Sequence, residues 1–309
     1  MNKPTRATVA VRVYLELQAK ARQSDRMTGE LFTLYALEGF LRRLAISDFS
    51  EDFVLKGGVL LAAYSARRPT RDIDFQARNL SHDVEVVGDR IRLIASHSQD
   101  DGLVFDASTV HGVEIRDTAE YPGVRVSINV RLSRATADFH LDNNFGDPIW
   151  PGSTIVSLPL VLGGTLPLRG YPLPMVLAEK TVTAVQRGPA NTRWRDFADL
   201  VLLGSQNEIS GRDFCRSLRV VADYRQVQLL PLKQVLDGIA DRAQRQWSIW
   251  RRKQQLENQT AEYFQDVLDA CSTLCDPAIM GTATDLDWVP SEYAWQRTLV
   301  QDPLPTVVD

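Results

Sequence analysis

Apolar and polar positions follow two periods along this chain, and the changes between them mark out its elements. Residues 8–24 and 29–46 show helical spacing, and in the second Leu31, Leu34, Leu37, Phe40, Leu41 and Leu44 form one broad apolar stripe. Two packed helices are therefore expected before the first strand. The run Phe53-Val-Leu meets Lys56-Gly57-Gly58, and Ile73 and Phe75 then alternate with Asp72 and Asp74. Residues 53–76 accordingly read as a strand, a short glycine-opened helix and a second strand. Ser81 to about His97 reads as a helix capped by Ser81, with Asp83 in its first turn.

Further along, Val124, Val126, Ile128, Val130 and Leu132 alternate with Arg125, Ser127, Asn129 and Arg131, the period of a sheet with one buried face. Residues 138–145 repeat it, setting His140, Asp142 and Asn144 opposite Phe139, Leu141 and Phe145, while Asn143 breaks the pattern. Prolines and glycines from residue 150 to 173 predict a turn-rich connector with one or two strands. Beyond Pro174 the spacing is helical over 174–187, 194–206, 210–223, 231–255 and 259–274. The tail after Pro277 is expected to be an irregular wrap pinned by Trp288, Tyr293 and Trp295. The class is α/β: a mixed-sheet core with an N-terminal helical pair over residues 1–173, and a helical C-terminal lobe over 174–309.

Composition narrows the classes of function. With 309 residues, 44% hydrophobic and 24% charged, the chain is ordinary for a soluble globular protein with an ample core. Met1–Arg6 and the segment after it lack the apolar core and cleavage site of a signal peptide. No apolar run reaches membrane-spanning length, so a cytoplasmic protein without membrane contact is expected. Cys215, Cys271 and Cys275 are an odd count that fits reduced thiols, and no histidine stands at ligand spacing from them. His82, His97, His111 and His140 show no metal-ligand spacing either.

The net charge of −4 confines any nucleic-acid contact to local patches. The strongest patch is Arg242, Arg245, Arg251, Arg252 and Lys253, interleaved with Trp247 and Trp250. The tryptophans suit burial, and the cations are candidates for an RNA backbone.

The densest chemistry lies around Asp72 and Asp74. At i and i+2 in a strand their Cα atoms are about 6–7 Å apart on one face, where they can share a hard cation. Gly57 and Gly58 let backbone N–H groups approach a polyphosphate. Lys56, Arg68 and Arg71 either clamp phosphates or offset repulsion between the carboxylates, and Arg71 lies on the face opposite Asp72. Thr70 shares the face of Asp72, so a phosphate placed on it would repel the carboxylates.

Asp142 is either a third carboxylate or a strand-ending turn residue, and Asp147 shapes the turn that follows. Lys180 points away from the apolar stripe Met175, Ala178, Val182 and Val185, as a solvated lysine or as a cation for a triphosphate. Asp196 orients Lys180 or pairs with an arginine, and Arg193 and Asp199 read as supporting charges.

Lys56-Gly57-Gly58 with Leu61, followed by Arg68-x-Thr70-x-Asp72-x-Asp74-Phe75, resembles the first motif of the AbiEii/AbiGii toxin family of nucleotidyltransferases. Three blocks match in order after it: Leu141 to Asp147, Leu177 to Ala184 with Lys180, and Arg193 to Leu200 with Asp196. Where related polymerase-type folds carry Gly-Ser, this chain has Gly57-Gly58, which keeps backbone contacts to phosphate and loses a hydroxyl.

The resemblance implies transfer of a nucleoside monophosphate from a nucleoside triphosphate (NTP) with Mg²⁺. Asp72, Asp74 and Asp142 would serve the metal, and Lys56, Gly57, Gly58, Arg68 and Thr70 would surround the nucleotide. Lys180 and Asp196 would complete the catalytic set. It implies a toxin with a cognate antitoxin, and the 3′ acceptor end of tRNA as acceptor, which would block translation. Two alternatives stay open: a nucleotidyltransferase for a protein or small molecule, and a non-catalytic nucleotide-binding regulator.

Overall fold

The computed structural model describes residues 8–115 and 123–297. The reading of Met1–Arg6 and the end of the C-terminal wrap lie outside the described residues. Two compact units, Met1–Pro172 and Leu173–Asp309, make up the chain.

The first unit opens with α1 (Val9–Gln23) and α2 (Thr28–Ile46), and the predicted stripe of α2 is buried throughout. Then follow β1 (Phe53–Lys56), the one-turn helix α3 (Gly57–Leu60), a 3-10 turn over Leu61–Tyr64, and β2 (Asp72–Ala77). Helix α4 (Val84–Ala95) is capped by Asp83 and not by Ser81. The Asp83 carboxylate accepts from the N–H groups of Glu85 and Val86 at 2.9 and 3.1 Å, while the Ser81 hydroxyl accepts from the N–H of Asp83. A hydroxyl two residues further out cannot reach the helix's open donors.

Strands β3 (Leu103–Ile115), β4 (Gly123–Leu132), β5 (Ala135–Phe145), β6 (Thr154–Pro159) and β7 (Thr165–Gly170) complete the unit. They join β1 and β2 in a seven-stranded sheet of order β3-β4-β5-β2-β1-β7-β6. The pairs β2–β5 and β1–β7 are parallel and the others antiparallel. One face carries Ile73, Phe75, Val124, Val126, Ile128, Phe139 and Leu141, all buried, with Phe40 of α2 packed edge-on against Phe139. Asn143 belongs to this face. It is fully buried because its amide donates to the carbonyls of Val124 and Leu141, both at 3.1 Å. The opposite face carries the polar residues of the alternation, including the carboxylates.

The second unit contains α5 (Leu173–Arg187), α6 (Trp194–Gln206), β8 (Ile209–Ser210), α7 (Gly211–Tyr224), α8 (Leu232–Val235), α9 (Ile239–Lys253), α10 (Phe264–Ile279), β9 (Leu286–Val289) and β10 (Ala294–Arg297). The helix expected over 231–255 is broken at Gly238, which turns left-handed at φ +68° and splits it into α8 and α9. Helix α10 begins at Phe264, later than expected, and runs through Pro277, where the missing N–H falls in the last turn. The tail is not an irregular wrap. It forms β9 and β10, which pair antiparallel and extend β8 into a three-stranded sheet. Trp288 is fully buried there, its indole donating to the carbonyl of Gly204 at 2.7 Å. Strands of four residues are too short to leave a readable period.

Among the described residues no helix is long and apolar enough to cross a membrane. The three cysteines are free and buried, and burial pushes the thiols of Cys271 and Cys275 up, the latter to about 12.

Candidate active site

Strand register assembles the charged face of the sheet. Asp74 on β2 pairs with Lys56 on β1 and, in parallel, with Asp142 on β5; Asp142 pairs with Arg125 on β4. Directly paired residues point to the same face, so four neighbouring strands present a row: Arg125, Asp142, Asp74, Lys56. Two carboxylates stand in the middle, on neighbouring strands about 4.8 Å apart, with a cation at each end. Asp72 joins the row's face one pleat along β2, registered with His140. Among the described residues the buried Nδ1 of His140 has no hydrogen-bond partner.

The two end cations are held differently. Lys56 donates to Asp147 at 2.9 Å, and both side chains are almost wholly buried. Asp147 thereby links the turn after β5 to β1. Arg125 grips Asp142 with two bonds, Nε to Oδ1 at 2.7 Å and Nη2 to Oδ2 at 2.6 Å, while its own side chain stays 42% exposed. The hydrogen bonds that Arg125 donates to Asp142 raise its pKa above the ordinary value, burial opposes them, and the charges of Asp142, Asp72 and Asp74 add to the rise.

The glycine pair is shaped by what lies beside it. Gly57 has φ +66°, and a Cβ there would stand 1.8 Å from Oδ2 of Asp74, so the Asp74 carboxylate lies directly on the glycine. A Cβ on Gly58 would stand 2.8 Å from the hydroxyl of Thr70 and 3.3 Å from Nη1 of Arg68. The space that a serine would use in a Gly-Ser pair is therefore held by Thr70. That hydroxyl donates to Oδ1 of Asp72 at 2.8 Å. Gly58, Arg67, Arg68, Thr70 and the buried Glu38 line a pocket of ≈ 250 Å³, counting space open to solvent. Burial raises the Glu38 carboxyl above its ordinary range, although the Val161 N–H and Arg67 oppose the rise.

In the second unit, Lys180 of α5 turns to α6, donating to Asp196 at 3.1 Å and Asp199 at 2.7 Å. Arg193 donates to the other oxygen of Asp196 at 2.8 Å. Of the two readings of Lys180, a solvated side chain does not fit, since it is only 11% exposed, and the pairing with Asp196 is present together with one to the wholly buried Asp199. An apolar stripe shows where a helix packs. It does not show that a second helix brings carboxylates to the flank. Burial disfavours the ionised form of Asp196, but Lys180, Arg193 and Arg195 outweigh it and lower the carboxyl from 3.8 to about 2.

Sequence reasoning passed over Arg125, because alternation gives the face of a strand and not its register. Asp199, read as a supporting charge, is closer to Lys180 than Asp196 is. Arg71 is exposed. Trp247 is fully buried and stacks on Trp250, while Arg242, Arg245, Ile249, Arg252 and Lys253 are exposed along one side of α9.

Among the described residues no three His, Cys, Asp or Glu side chains converge as a ready-made metal site. Asp72 and Asp74 on one face of β2 nevertheless suit Mg²⁺, which commonly takes one or two carboxylates and completes its shell with substrate phosphates and water. Asp142 is held by Arg125 in this arrangement.

Carboxylates on neighbouring strands beside a glycine-opened helix are an arrangement chemically suited to nucleotidyl transfer. The family model of the nucleotidyl transferase AbiEii toxin of type IV toxin–antitoxin systems matches residues 39–270, well over half of the chain. The chain belongs to this family and is a nucleotidyltransferase. Membership brings a nucleoside triphosphate as substrate and a cognate antitoxin as partner.

A solved structure of a candidate nucleotidyltransferase from H. pylori aligns with TM-score 0.47 and 13% identity, covering 82% of this chain and 97% of that one. JHP933 from Helicobacter pylori aligns with TM-score 0.44 and 13% identity, over 80% and 91%. Among curated proteins none matches the chain.

Proposed function

We propose that this toxin transfers a nucleoside monophosphate from an Mg²⁺-bound NTP to the 3′ acceptor end of tRNA, releasing pyrophosphate and blocking translation. The observation that carries the reading is Asp72 and Asp74 on one strand face with the Asp74 carboxylate lying against Gly57. Asp72 and Asp74 hold the metal, which when bound offsets charge on the phosphates as the bond between α and β phosphates breaks. Thr70 fixes Asp72 through its hydroxyl. Backbone N–H groups at Gly57 and Gly58 face the phosphates, with Lys56 and Arg68 as neighbouring cations.

Lys180 is assigned to the triphosphate charge, oriented by Asp196 and Asp199. The acceptor hydroxyl forms the new bond to the α-phosphorus, and Asp142 serves either the metal or the hydroxyl proton. An RNA acceptor is supported by the exposed cations of α9, Arg242, Arg245, Arg252 and Lys253, on a chain whose net charge is −4.

The test is incubation of the protein with total tRNA, Mg²⁺ and each α-32P-labelled NTP in turn. Label on tRNA from the wild type, lost in Asp72→Ala and in Lys180→Ala whose circular dichroism spectrum shows it folded, is the expected result and names the nucleotide. No label with any NTP overturns the acceptor assignment. Replacing both Arg245 and Arg252 with Gln is expected to lower the slope of tRNA affinity against salt by about 2, roughly one for each lost phosphate contact.

A further inference from the structure

The Arg125–Asp142 pair has features of an exchangeable contact. Its two bonds match a guanidinium to a carboxylate as a fork, the geometry that serves a phosphate equally well. The Arg125 side chain is 42% exposed against 13% for that of Asp142, so Arg125 can rotate away without uncovering core. Lys56 at the other end of the row cannot, because it and Asp147 are buried together. The row also explains why a cation is needed beside Asp142 at all. Asp74 and Asp142 are adjacent like charges, and Arg125, bound to Asp142, is one of the charges that offset their repulsion.

We infer that Arg125 is the counter-charge that Asp142 exchanges for a divalent cation, and that the guanidinium so released takes up a phosphate of the nucleotide. The inference rests on the reading of Asp72 and Asp74 as metal ligands. Arg125 then has two jobs: it keeps the carboxylates from repelling one another, and it opposes premature metal entry until an anionic substrate offers the guanidinium another partner. Arg125 is in this sense a positioning residue for Asp142 before substrate arrives and a binding residue afterwards. No bond is made or broken covalently in the exchange.

Mn²⁺ binding followed by electron paramagnetic resonance, without nucleotide, tests the first half on wild type, Arg125→Gln and Arg125→Lys. Equilibrium dialysis of labelled NTP with metal tests the second. Arg125→Gln is expected to bind Mn²⁺ roughly tenfold more tightly, since a repelling charge is gone, and metal–NTP roughly tenfold more weakly. Arg125→Lys keeps the charge and loses the fork, so Mn²⁺ affinity stays as in wild type while NTP affinity falls severalfold. Mn²⁺ affinity in Arg125→Gln at or below the wild-type value, in protein with an unchanged circular dichroism spectrum, overturns the exchange. If Arg125→Gln does not fold, unchanged NTP affinity in Arg125→Lys overturns it instead. A wild type that binds no Mn²⁺ with or without NTP removes the carboxylate site itself, a failure of the functional reading distinct from failure of the exchange.

Discussion

The carboxylate face of the first unit and the lysine cluster of the second use the same ingredients in opposite ways. On the sheet, strand register lines up Arg125, Asp142, Asp74 and Lys56, and Arg125 stays half in solvent. Between α5 and α6, Lys180, Asp196 and Asp199 are closed off, with none more than 11% exposed. Arg125, the exposed member of the row, can change partners at small cost, because water screens its charge in each state. A buried cluster keeps its internal pairs, since removing one member leaves the others desolvated without compensation, and Lys180 would meet a triphosphate with its ammonium still held by Asp196 and Asp199. The difference teaches that substitutions in the two places should separate stability from chemistry.

The largest effect is expected from Lys180→Ala, which takes from Asp196 and Asp199 the ammonium they share. Loss of about 3–5 kcal/mol in urea unfolding is expected, and a loss under about 1 kcal/mol would mean the cluster is far better solvated than its burial shows. Gly57→Ala comes next, because the new methyl meets Oδ2 of Asp74 in a backbone with φ +66°. About 2–3 kcal/mol of destabilisation together with lost Mn²⁺ binding is the expected outcome.

Third is the acid limb. The Asp196 carboxyl is lowered from 3.8 to about 2 in the folded protein, so its stabilisation is complete above the unfolded value. It is lost as pH falls through the folded one. That amounts to about 2 kcal/mol, and Asp196→Asn should flatten the urea midpoint against pH over this window. Smallest in stability, and the sharpest contrast with Lys180→Ala, is Asp72→Asn, expected within about 1 kcal/mol of wild type while Mn²⁺ binding falls at least tenfold. A large unfolding penalty at Asp72 would erase the distinction between the two regions.

Much of the sheet was legible from side-chain alternation, since Ile73, Phe75, Val126 and Leu141 could be assigned to the core and Asp72, Asp74 and Asp142 to the other face. The neighbour of each carboxylate was not legible. Register between β2 and β5, and between β4 and β5, is set by the pairing of distant segments, and nothing local to Arg125 announces Asp142. The same holds for Asp199, whose burial depends on Lys180 reaching it from another helix. Asn143 was visible as an exception but not as the amide that ties two strands together. Gly238 lies inside the helix expected over 231–255, and its left-handed turn separates that stretch into two helices.

The parallel pairing of β2 with β5 also carries a kinetic meaning. Asp74 and Asp142 meet only after a hairpin of two long strands, β3 and β4, has been laid down between them in the chain. Contacts of such high sequence separation form late and slowly, because loop closure must precede any reward from pairing. The two carboxylates therefore cannot meet on a growing chain before the residues around Phe145 have been made, so the site is assembled by topology and not by the local segment that carries Asp72 and Asp74.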